Sequence, residues 1–495
     1  MKRALTWSLS ASLLSGFLQV AMVPFYVSRL GLEAWGVICF QIPLAAILQL
    51  FDFGIATTVN QMMASRRGQP EALSLLRVGE AFYAGAAFVF AIALGLSCSW
   101  LAESWLTIVE LTAGDVATAI GFMIGTICGN WMSAYYAAAL GGQERFATVA
   151  GIRIAGVALF HGGNVIVLAL AHGSLPEVAA WQCTVALALA VAYRWALYRA
   201  TPATGRVDWS VLRRRMRFIA GVGVIAVTAV AITHVDKLVL SKVLTLEAFG
   251  LYTFAMTAVG GLLMLIAPIF SITVPRLAAL AGGGPGEALT RCYLDRSQLM
   301  AWLVMPVAMT MLLNPYAVIM AWTGKPDLAA SAAVLVSLAL PGTMANALMN
   351  VPFALQLAIG RPGIGIALNL MMLATLAIGL LLVVPRWGAA GGAVSWSVCN
   401  LLYLCIGLPI TNRLTAKPIG IDWTLAVVPV LLAAVPLPLI TSLFLGSDAS
   451  RPTLTVVLAA TALASWLLAA GFARRVFPTS MMSEHLRRLR VRWTR

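Results

Sequence analysis

The sequence predicts an all-α polytopic membrane protein, and three observations support that prediction. Hydrophobic residues make up 61% of the 495 residues and charged residues only 10%, against roughly 25% charged residues in soluble globular proteins. The apolar residues fall in long uninterrupted runs, and the mean hydropathy is +0.92. So little polar surface cannot cover a globule that faces water. The composition therefore excludes a soluble enzyme.

Long apolar runs divide the chain into candidate membrane-spanning helices. Crossing about 30 Å of hydrocarbon takes about 20 helical residues, and the sequence holds about 14 runs of that length. They lie near residues 5–27, 36–60, 78–101, 116–139, 149–171, 177–197, 218–240, 249–274, 298–319, 330–354, 363–384, 389–411, 424–446 and 453–472. With a cytoplasmic N-terminus, 27 of the 33 Lys and Arg residues fall on inside segments. This bias predicts that both termini are cytoplasmic, and it accounts for the positive charge without a nucleic-acid partner.

A repeat relates the two halves of the chain. Residues 32–36 read Leu-Glu-Ala-Trp-Gly and residues 246–250 read Leu-Glu-Ala-Phe-Gly, an offset of 214. Six spans per half predict two six-helix lobes related by a pseudo-two-fold axis along the membrane normal, plus two extra C-terminal helices. This arrangement is typical of transporters, and a duplicated scaffold is the alternative. The predicted domains are residues 1–200 (N-terminal lobe), 201–217 (basic cytoplasmic linker), 218–412 (C-terminal lobe), 413–472 (two additional helices) and 473–495 (basic cytoplasmic tail).

Three segments carry a family resemblance. They are residues 30–36 (Leu-Gly-Leu-Glu-Ala-Trp-Gly), residues 50–55 (Leu-Phe-Asp-Phe-Gly-Ile), and residues 236–241 (Asp-Lys-Leu-Val-Leu-Ser), which lead into Phe-Gly-Leu-Tyr at 249–252. From the first span through the twelfth, the chain resembles the polysaccharide transporters of the multidrug/oligosaccharidyl-lipid/polysaccharide flippase superfamily, particularly bacterial O-antigen flippases. The resemblance implies that the protein flips undecaprenyl-diphosphate-linked oligosaccharide, an O-antigen or other surface polysaccharide unit, from the cytoplasmic to the outer leaflet. Alternating access coupled to an H⁺ or Na⁺ gradient would drive the step.

Other functions remain as alternatives. Multidrug or small-molecule/cation antiport belongs to the same superfamily, although the first span has Gln19 and no carboxylate for a cation. A membrane glycosyltransferase is disfavoured because the outward connections are short, and a catalytically silent scaffold stays open. The sequence has no H-E-x-x-H, P-loop or Ser-His-Asp grouping, so we expect no enzyme and no catalytic residues. Seven cysteines without a C-x-x-C pair predict no metal site, and we expect no cofactor.

Polar residues in the second span are candidates for the transport pathway. Gln41, Gln49, Asp52 and Asn60 fall at about 0°, 80°, 20° and 100° on an ideal helix and so share one stripe. An ionised carboxylate within a span costs several kcal/mol unless it is paired or hydrated. Asp52 is therefore a functional candidate, and helix packing through a hydrogen bond is the competing interpretation.

The fifth span has a similar stripe of Arg153, His161 and Asn164. The fork of arginine donors suits phosphate oxygens, so Arg153 is a candidate for the diphosphate. Alternatively, Arg153 extends to the inner headgroups and fixes topology. His161 could titrate in a proton-coupled cycle or simply satisfy packing.

Two further sets of charged residues lie near the predicted ends of spans. Arg145 and Arg361 occupy matching inner loops at an offset of 216 and are candidates for a cytoplasmic entrance, or else carry topogenic charge. His234, Asp236 and Lys237 are candidates for an outer gate, with structural anchoring as the alternative. Because Asp236 and Lys237 are adjacent, they should point about 100° apart and not neutralise each other.

The expected partners follow from this interpretation. They are the lipid-linked glycan, membrane lipids, and a polysaccharide polymerase or export complex. We expect a monomer in the bacterial inner (cytoplasmic) membrane, because both lobes lie in one chain.

Overall fold

The computed structural model describes residues 2–65, 69–170, 173–201, 207–284, 286–415, 419–446 and 449–476. Within these ranges it describes all side chains except those of residues 2–14, 170, 212, 214–226 and 472–476. The side chains of the predicted basic tail therefore lie outside the described residues, as do residues 202–206 of the predicted linker.

The described part of the chain is helical and holds no β-strand. Its α-helices are α1 (Lys2–Gln49), α2 (Ile55–Ser65), α3 (Pro70–Gly95), α4 (Cys98–Trp100), α5 (Ala113–Gly142), α6 (Phe146–Val165), α7 (Leu175–Ala200), α8 (Trp209–Val243), α9 (Leu246–Gly260), α10 (Leu263–Ala281), α11 (Glu287–Leu313), α12 (Pro315–Thr323), α13 (Pro326–Ala358), α14 (Pro362–Asn412), α15 (Gly420–Ala433), α16 (Pro436–Phe444) and α17 (Arg451–Val476). Among described residues, 11 helical segments are long and apolar enough to cross a membrane. The predicted all-α polytopic fold is confirmed, whereas the number 14 stays a prediction.

Single glycines interrupt the two longest helices. Gly31 (φ 85°) breaks α1 and Gly388 (φ 53°) breaks α14, and this left-handed region favours glycine because it has no Cβ. Helix α14 therefore covers two of the predicted spans, 363–384 and 389–411, whereas α1 covers the first span and the first part of the second. The chain divides into two compact units, Met1–Thr253 and Phe254–Arg495. The first unit includes α8, which the repeat assigns to the second lobe, and the predicted domain boundaries stay a prediction.

The core of the first unit is the packing of α5 against α7, with α6 and α1 alongside. Small residues allow the close approach: a Cβ on Gly129 would lie 2.9 Å from the Ala186 carbonyl oxygen. In a membrane, such small-residue contacts replace the hydrophobic effect as the source of helix association. These four helices surround the polar region described below.

The two copies of the Leu-Glu-Ala-aromatic-Gly repeat pack against each other within the first unit. A Cβ on Gly36 would fall on the Leu246 carbonyl oxygen, and a Cβ on Gly250 would fall on that of Leu32. The connection of residues 101–112 also reaches this junction. Glu33, which is 4% exposed, accepts hydrogen bonds from the backbone N–H groups of residues 109–111.

In the second unit the packing centres on α13 against α14, with α11 beside them. The additional helices α15 and α17 pack on α11. The indole Nε1 of Trp302 donates to the Trp466 carbonyl, and that of Trp466 donates to the Leu303 carbonyl, both at 3.0 Å. These reciprocal bonds tie α17 to α11.

Candidate functional site

Two adjoining cavities lie among the helices of the first unit. The larger, the Arg153 cavity, has a volume of about 350 Å³, and the smaller, the Asp52 cavity, has about 270 Å³. The larger volume falls within the range of about 300–1,000 Å³ that is common for small-molecule sites. Gln41, Asn130 and Ala134 line both cavities, which therefore share a wall.

Polar side chains from four helices line the Arg153 cavity. They are Gln19 and Gln41 of α1, Asn130 and Ser133 of α5, Arg153 and His161 of α6, and Tyr193 of α7. The Arg153 guanidinium interacts with the Tyr193 hydroxyl, which in turn donates to the Val149 carbonyl at 3.2 Å. Five N–H donors in a guanidinium exceed what one phenol can accept. The cavity therefore offers a cation with capacity for phosphate oxygens.

His161 is 5% exposed and belongs to a hydrogen-bonded cluster. The Tyr26 hydroxyl lies 2.6 Å from His161 Nδ1, and Asn164 Nδ2 donates to that hydroxyl at 3.2 Å. The Tyr26 ring also stacks between His161 and Trp35. The two predicted residues of this set, His161 and Asn164, thus meet through a tyrosine that the sequence analysis did not single out.

Amide and aromatic groups surround the carboxylate of the Asp52 cavity. The polar and aromatic lining consists of Gln41, Gln49, Asp52, Tyr83, Asn130 and Trp131. Tyr83 donates its hydroxyl proton to Asp52 Oδ1 and stacks on Trp131 at a centroid distance of 4.1 Å. Asp52 therefore has a hydrogen-bond partner and lies beside an open space.

The predicted single helical stripe from Gln41 to Asn60 is wrong, because the helix breaks between them. Helix α1 ends at Gln49, Phe53 (φ 46°) and Gly54 (φ 82°) adopt left-handed conformations, and α2 begins at Ile55. Asp52 Oδ1 accepts the Ala56 backbone N–H at 3.1 Å, at the start of α2. The break turns Asn60 away from the stripe, and its Nδ2 donates to the Ala138 carbonyl at 2.7 Å.

Five of the seven predicted pathway residues line the two cavities: Gln41, Gln49, Asp52, Arg153 and His161. Asn60 and Asn164 do not line them and instead make the hydrogen bonds described above. Asn130, Tyr83 and Tyr193 also line the cavities and were not among the predicted pathway residues. For Asn130, the signal was its match with Asn346 in the repeat.

The predicted entrance arginines occupy equivalent loops of the two units. Arg145 and Arg361 are exposed, each directly precedes a helix, and each follows a residue with positive φ, Glu144 (61°) and Gly360 (70°). The backbone N–H of each donates to the carbonyl five residues earlier, at 3.0 Å. Neither lines either cavity, and a role in substrate entry stays a prediction.

Two of the three predicted outer-gate residues, Asp236 and Lys237, form an ion pair in which the carboxylate is buried. Lys237 Nζ lies 3.1 Å from Asp236 Oδ2, so the expectation that these neighbours do not neutralise each other is wrong. The flexible lysine side chain bends back to its neighbour, and Tyr252 donates to the same carboxylate oxygen at 2.7 Å. Asp236 is 1% exposed. His234 is half-buried on the same helix, and gating by these three residues stays a prediction.

A further charged network links α3, α5 and α7, and the sequence analysis missed it. Glu80 accepts hydrogen bonds from Arg194 at 2.8 Å, from Tyr136 at 2.9 Å and from Tyr198. Arg77 lies 3.5 Å from the same carboxylate and over the Tyr198 ring. The three hydrogen-bond partners lie 56–118 residues from Glu80 in the sequence, so only the fold reveals their part of the network.

Comparisons with known proteins agree with this architecture. A search of curated proteins by sequence gave no match. The chain is similar in structure to the lipid II flippase MurJ in an inward closed conformation, with a TM-score of 0.72 and 10% identity over 96% of this chain and 98% of that chain. The MATE multidrug transporter DinF-BH, solved in complex with a ligand, gives a TM-score of 0.59 and 13% identity over 82% and 94%. An inward-facing MATE transporter of the MOP superfamily gives 0.56 and 14% over 82% and 95%. At these identities the likeness establishes the fold.

Among the described residues, no group of three or more His, Cys, Asp or Glu side chains could hold a metal ion.

The model of a family described as "Polysaccharide biosynthesis protein" matches residues 27–325. That range includes both copies of the repeat and every residue that lines the two cavities except Gln19. The predicted superfamily is thereby confirmed. The chain belongs to the polysaccharide biosynthesis protein family and has the fold of the MOP-superfamily transporters.

Proposed function

We propose that this protein flips an undecaprenyl-diphosphate-linked oligosaccharide from the cytoplasmic to the outer leaflet of the bacterial inner membrane. In this proposal both termini are cytoplasmic. The headgroup enters the polar region of the first unit, while the lipid tail stays in the bilayer. Alternating access then presents the headgroup to the opposite face. A cation gradient drives the cycle, and the protein does no chemistry on its substrate.

The Arg153 cavity is the single observation that carries this proposal. It combines a cation with the amides of Gln19, Gln41 and Asn130 inside a bundle of apolar helices. An arginine within a membrane helix is costly unless it is paired or hydrated, and Arg153 is the eighth residue of the candidate span Phe146–Ala169. A polar cavity around such a residue indicates function. A diphosphate needs the arginine, and sugar hydroxyls need neutral donors and acceptors such as amides.

Membership of a polysaccharide biosynthesis family supports a glycan as the cargo. Similarity in fold to a lipid II flippase over 96% of the chain supports a lipid-linked one. Together they favour a headgroup with both phosphate and sugar, which is what the cavity lining can accommodate.

The test has a cellular arm and a purified arm. Deletion of the gene in its native host should cause complete lipid-linked oligosaccharide to accumulate on the cytoplasmic leaflet. Purified protein in liposomes should move a fluorescent undecaprenyl-diphosphate-linked sugar between leaflets. Arg153→Gln should slow that movement by at least about tenfold, because charge-assisted hydrogen bonds contribute about 1.5–3 kcal/mol.

Arg386→Gln is the control, since Arg386 is an exposed arginine of α14 that lines neither cavity. It should leave flipping within about twofold of wild type, in line with the small effects of surface substitutions. Accumulation of an incomplete glycan, or normal export in the deletion strain, would refute the proposal. Equal flipping rates in the Arg153→Gln and Arg386→Gln variants would refute a role of the Arg153 cavity in transport.

Antiport of cationic small molecules is a second candidate, and the Asp52 cavity favours it. Asp52 lies beside the stacked rings of Tyr83 and Trp131, a combination of carboxylate and aromatic faces that suits flat organic cations. If this function holds, expression should lower the accumulation of a fluorescent cationic dye in cells. Asp52→Asn should abolish that effect while leaving Arg153-dependent flipping unchanged.

A further inference from the structure

The cluster of Tyr26, His161 and Asn164 has a hydrogen-bonding pattern that suits a neutral imidazole. Tyr26 accepts an N–H from Asn164 Nδ2 at 3.2 Å, and its hydroxyl oxygen lies 2.6 Å from His161 Nδ1. When the Tyr26 hydroxyl donates to Nδ1, the neutral imidazole carries its proton on Nε2. His161 also lines the Arg153 cavity.

The cluster can also hold a charged imidazolium with its hydrogen bonds intact. Asn164 is fully buried, and its Oδ1 has no hydrogen-bond partner among the described residues. Rotating the amide by about 180° exchanges Oδ1 with Nδ2 in nearly the same volume. The Tyr26 hydroxyl can then donate to Asn164 Oδ1 and accept the Nδ1–H of the imidazolium. One proton from cavity water is added to the ring, and the tyrosine keeps its own.

The surroundings decide when the charged state is stable. The helices packed against α6 contribute Tyr26 from α1, Tyr193 from α7 and only neutral groups from α5, and α6 itself contributes Arg153. Among the described residues that line the cavity, none is a carboxylate. Arg153 therefore repels the imidazolium when the cavity holds only water. A bound anion compensates both positive charges.

We propose that His161, held by Tyr26 and Asn164, is a proton-binding site whose protonation strengthens binding of a diphosphate anion beside Arg153. The inference rests on the proposed function, which supplies the diphosphate anion. It adds that the coupling ion is the proton and that His161 is the residue that binds it. Because linkage is reciprocal, the anion strengthens proton binding by the same factor as the proton strengthens anion binding. His161 binds the proton directly, whereas Tyr26 and Asn164 are positioning residues.

The first experiment observes the proton directly. The chain has four histidines, so NMR of protein labelled with ¹⁵N in the histidine rings is tractable, and His161→Gln assigns the signal. With inorganic pyrophosphate present, we expect the Nε2–H tautomer at about pH 8 and the imidazolium at about pH 5. Tyr26→Phe keeps the ring that stacks on Trp35 but removes the hydroxyl, and it should shift the neutral tautomer balance toward Nδ1–H. A His161 signal that stays unchanged across this range would overturn the inference.

The second experiment measures coupling with inorganic pyrophosphate as the probe. By calorimetry, wild type should bind it about tenfold more tightly at about pH 5.5 than at about pH 8, relative to the same ratio in His161→Gln. Pyrophosphate changes its own protonation between these pH values. The ratio measured with His161→Gln contains that contribution without the contribution of His161. The thermal unfolding midpoint of this variant is measured in parallel to establish that it is folded. Arg153→Gln should weaken binding at both pH values.

The outcomes separate this inference from the proposed function. Equal pH ratios in wild type and His161→Gln, or no binding of pyrophosphate by wild type at either pH, would overturn the coupling. Flipping of lipid-linked sugar in the same preparation would then still support the proposed function. Conversely, proton-coupled pyrophosphate binding without any flipping would support the proton-binding site at His161 and refute the proposed flippase function.

Discussion

The two units carry the same asparagine in different surroundings. Asn130 in the first unit and Asn346 in the second match in the repeat, at an offset of 216. Asn130 is exposed and lines both cavities, whereas Asn346 donates to Asn400 at 2.8 Å. Asn346 also accepts from Asn350 through its backbone carbonyl, at 2.9 Å. An amide in a membrane helix must be hydrated or hydrogen-bonded to another group. In the first unit the amide is exposed to the cavities, and in the second unit it is paired.

A second junction shows the same contrast. In the first unit α3 and α7 meet through the charged pair of Glu80 and Arg194, with Tyr198. In the second unit α11 meets the end of α14 through a neutral bond from the Tyr293 hydroxyl to Asn412 Oδ1, at 2.8 Å. The two junctions therefore differ in the hydrogen bonds that join their helices.

The largest effect on stability should come from the charged junction. Glu80→Gln removes the carboxylate that two arginines and two tyrosines share, and should lower the free energy of unfolding by about 1–3 kcal/mol. Thermal unfolding in detergent measures the change. Glu103→Gln, at an exposed position of the same unit, serves as the control and should change it by less than about 0.5 kcal/mol. Equal effects of the two variants would refute the contrast between charged and neutral junctions.

A slightly smaller loss is expected from the paired amides. Asn346→Ala leaves the buried Asn400 amide oxygen without its donor, which should cost about 1–2 kcal/mol of stability. A double-mutant cycle with Asn400→Ala should return a coupling of about 0.6 kcal/mol, the average for interhelical hydrogen bonds in membranes. Additive single effects would mean that the pair does not stabilise the second unit.

The matching change in the first unit should affect transport more than stability. Asn130→Ala removes an exposed amide, so unfolding should change by less than about 0.5 kcal/mol. The rate of flipping in liposomes should fall about fivefold, because one neutral hydrogen bond contributes about 1 kcal/mol. If Asn130→Ala destabilises the protein as much as Asn346→Ala does, the distinction between a hydrated and a paired asparagine is wrong.

The smallest effect on transport is expected from Asn60. It is a predicted pathway residue, but the break between α1 and α2 leaves it outside the lining of both cavities. Asn60→Ala loses one hydrogen bond to the Ala138 carbonyl, and should lower stability by about 0.5–1 kcal/mol. Flipping per folded molecule should not change. A loss of flipping without a loss of stability would show that Asn60 lies in the transport pathway.

The membrane-spanning helices and several of the cavity residues could be predicted from the sequence. Hydropathy determines which segments enter a membrane, and polar residues within those apolar segments are candidates for function. Asp52, Arg153 and His161 were identifiable as costly residues in apolar runs, and they do lie at the cavities. The break at Phe53 and Gly54 was not predicted, since the surrounding run is apolar enough for an uninterrupted helix. Glu80 was missed for a different reason. Its three hydrogen-bond partners, Tyr136, Arg194 and Tyr198, lie on other helices, and their distances from Glu80 depend on packing that no local pattern encodes.

The contact between Gly36 and Gly250 bears on the origin of the chain. Each copy of the repeated motif is the other's partner, with the same atoms exchanging roles on the two sides. Such reciprocity is the property of an isologous interface, in which one surface of a homodimer meets itself. A half-length ancestor that paired through this motif would have needed only gene fusion to reach the present form. The two glycines then count as a single site under selection, since a larger residue at either closes the same gap.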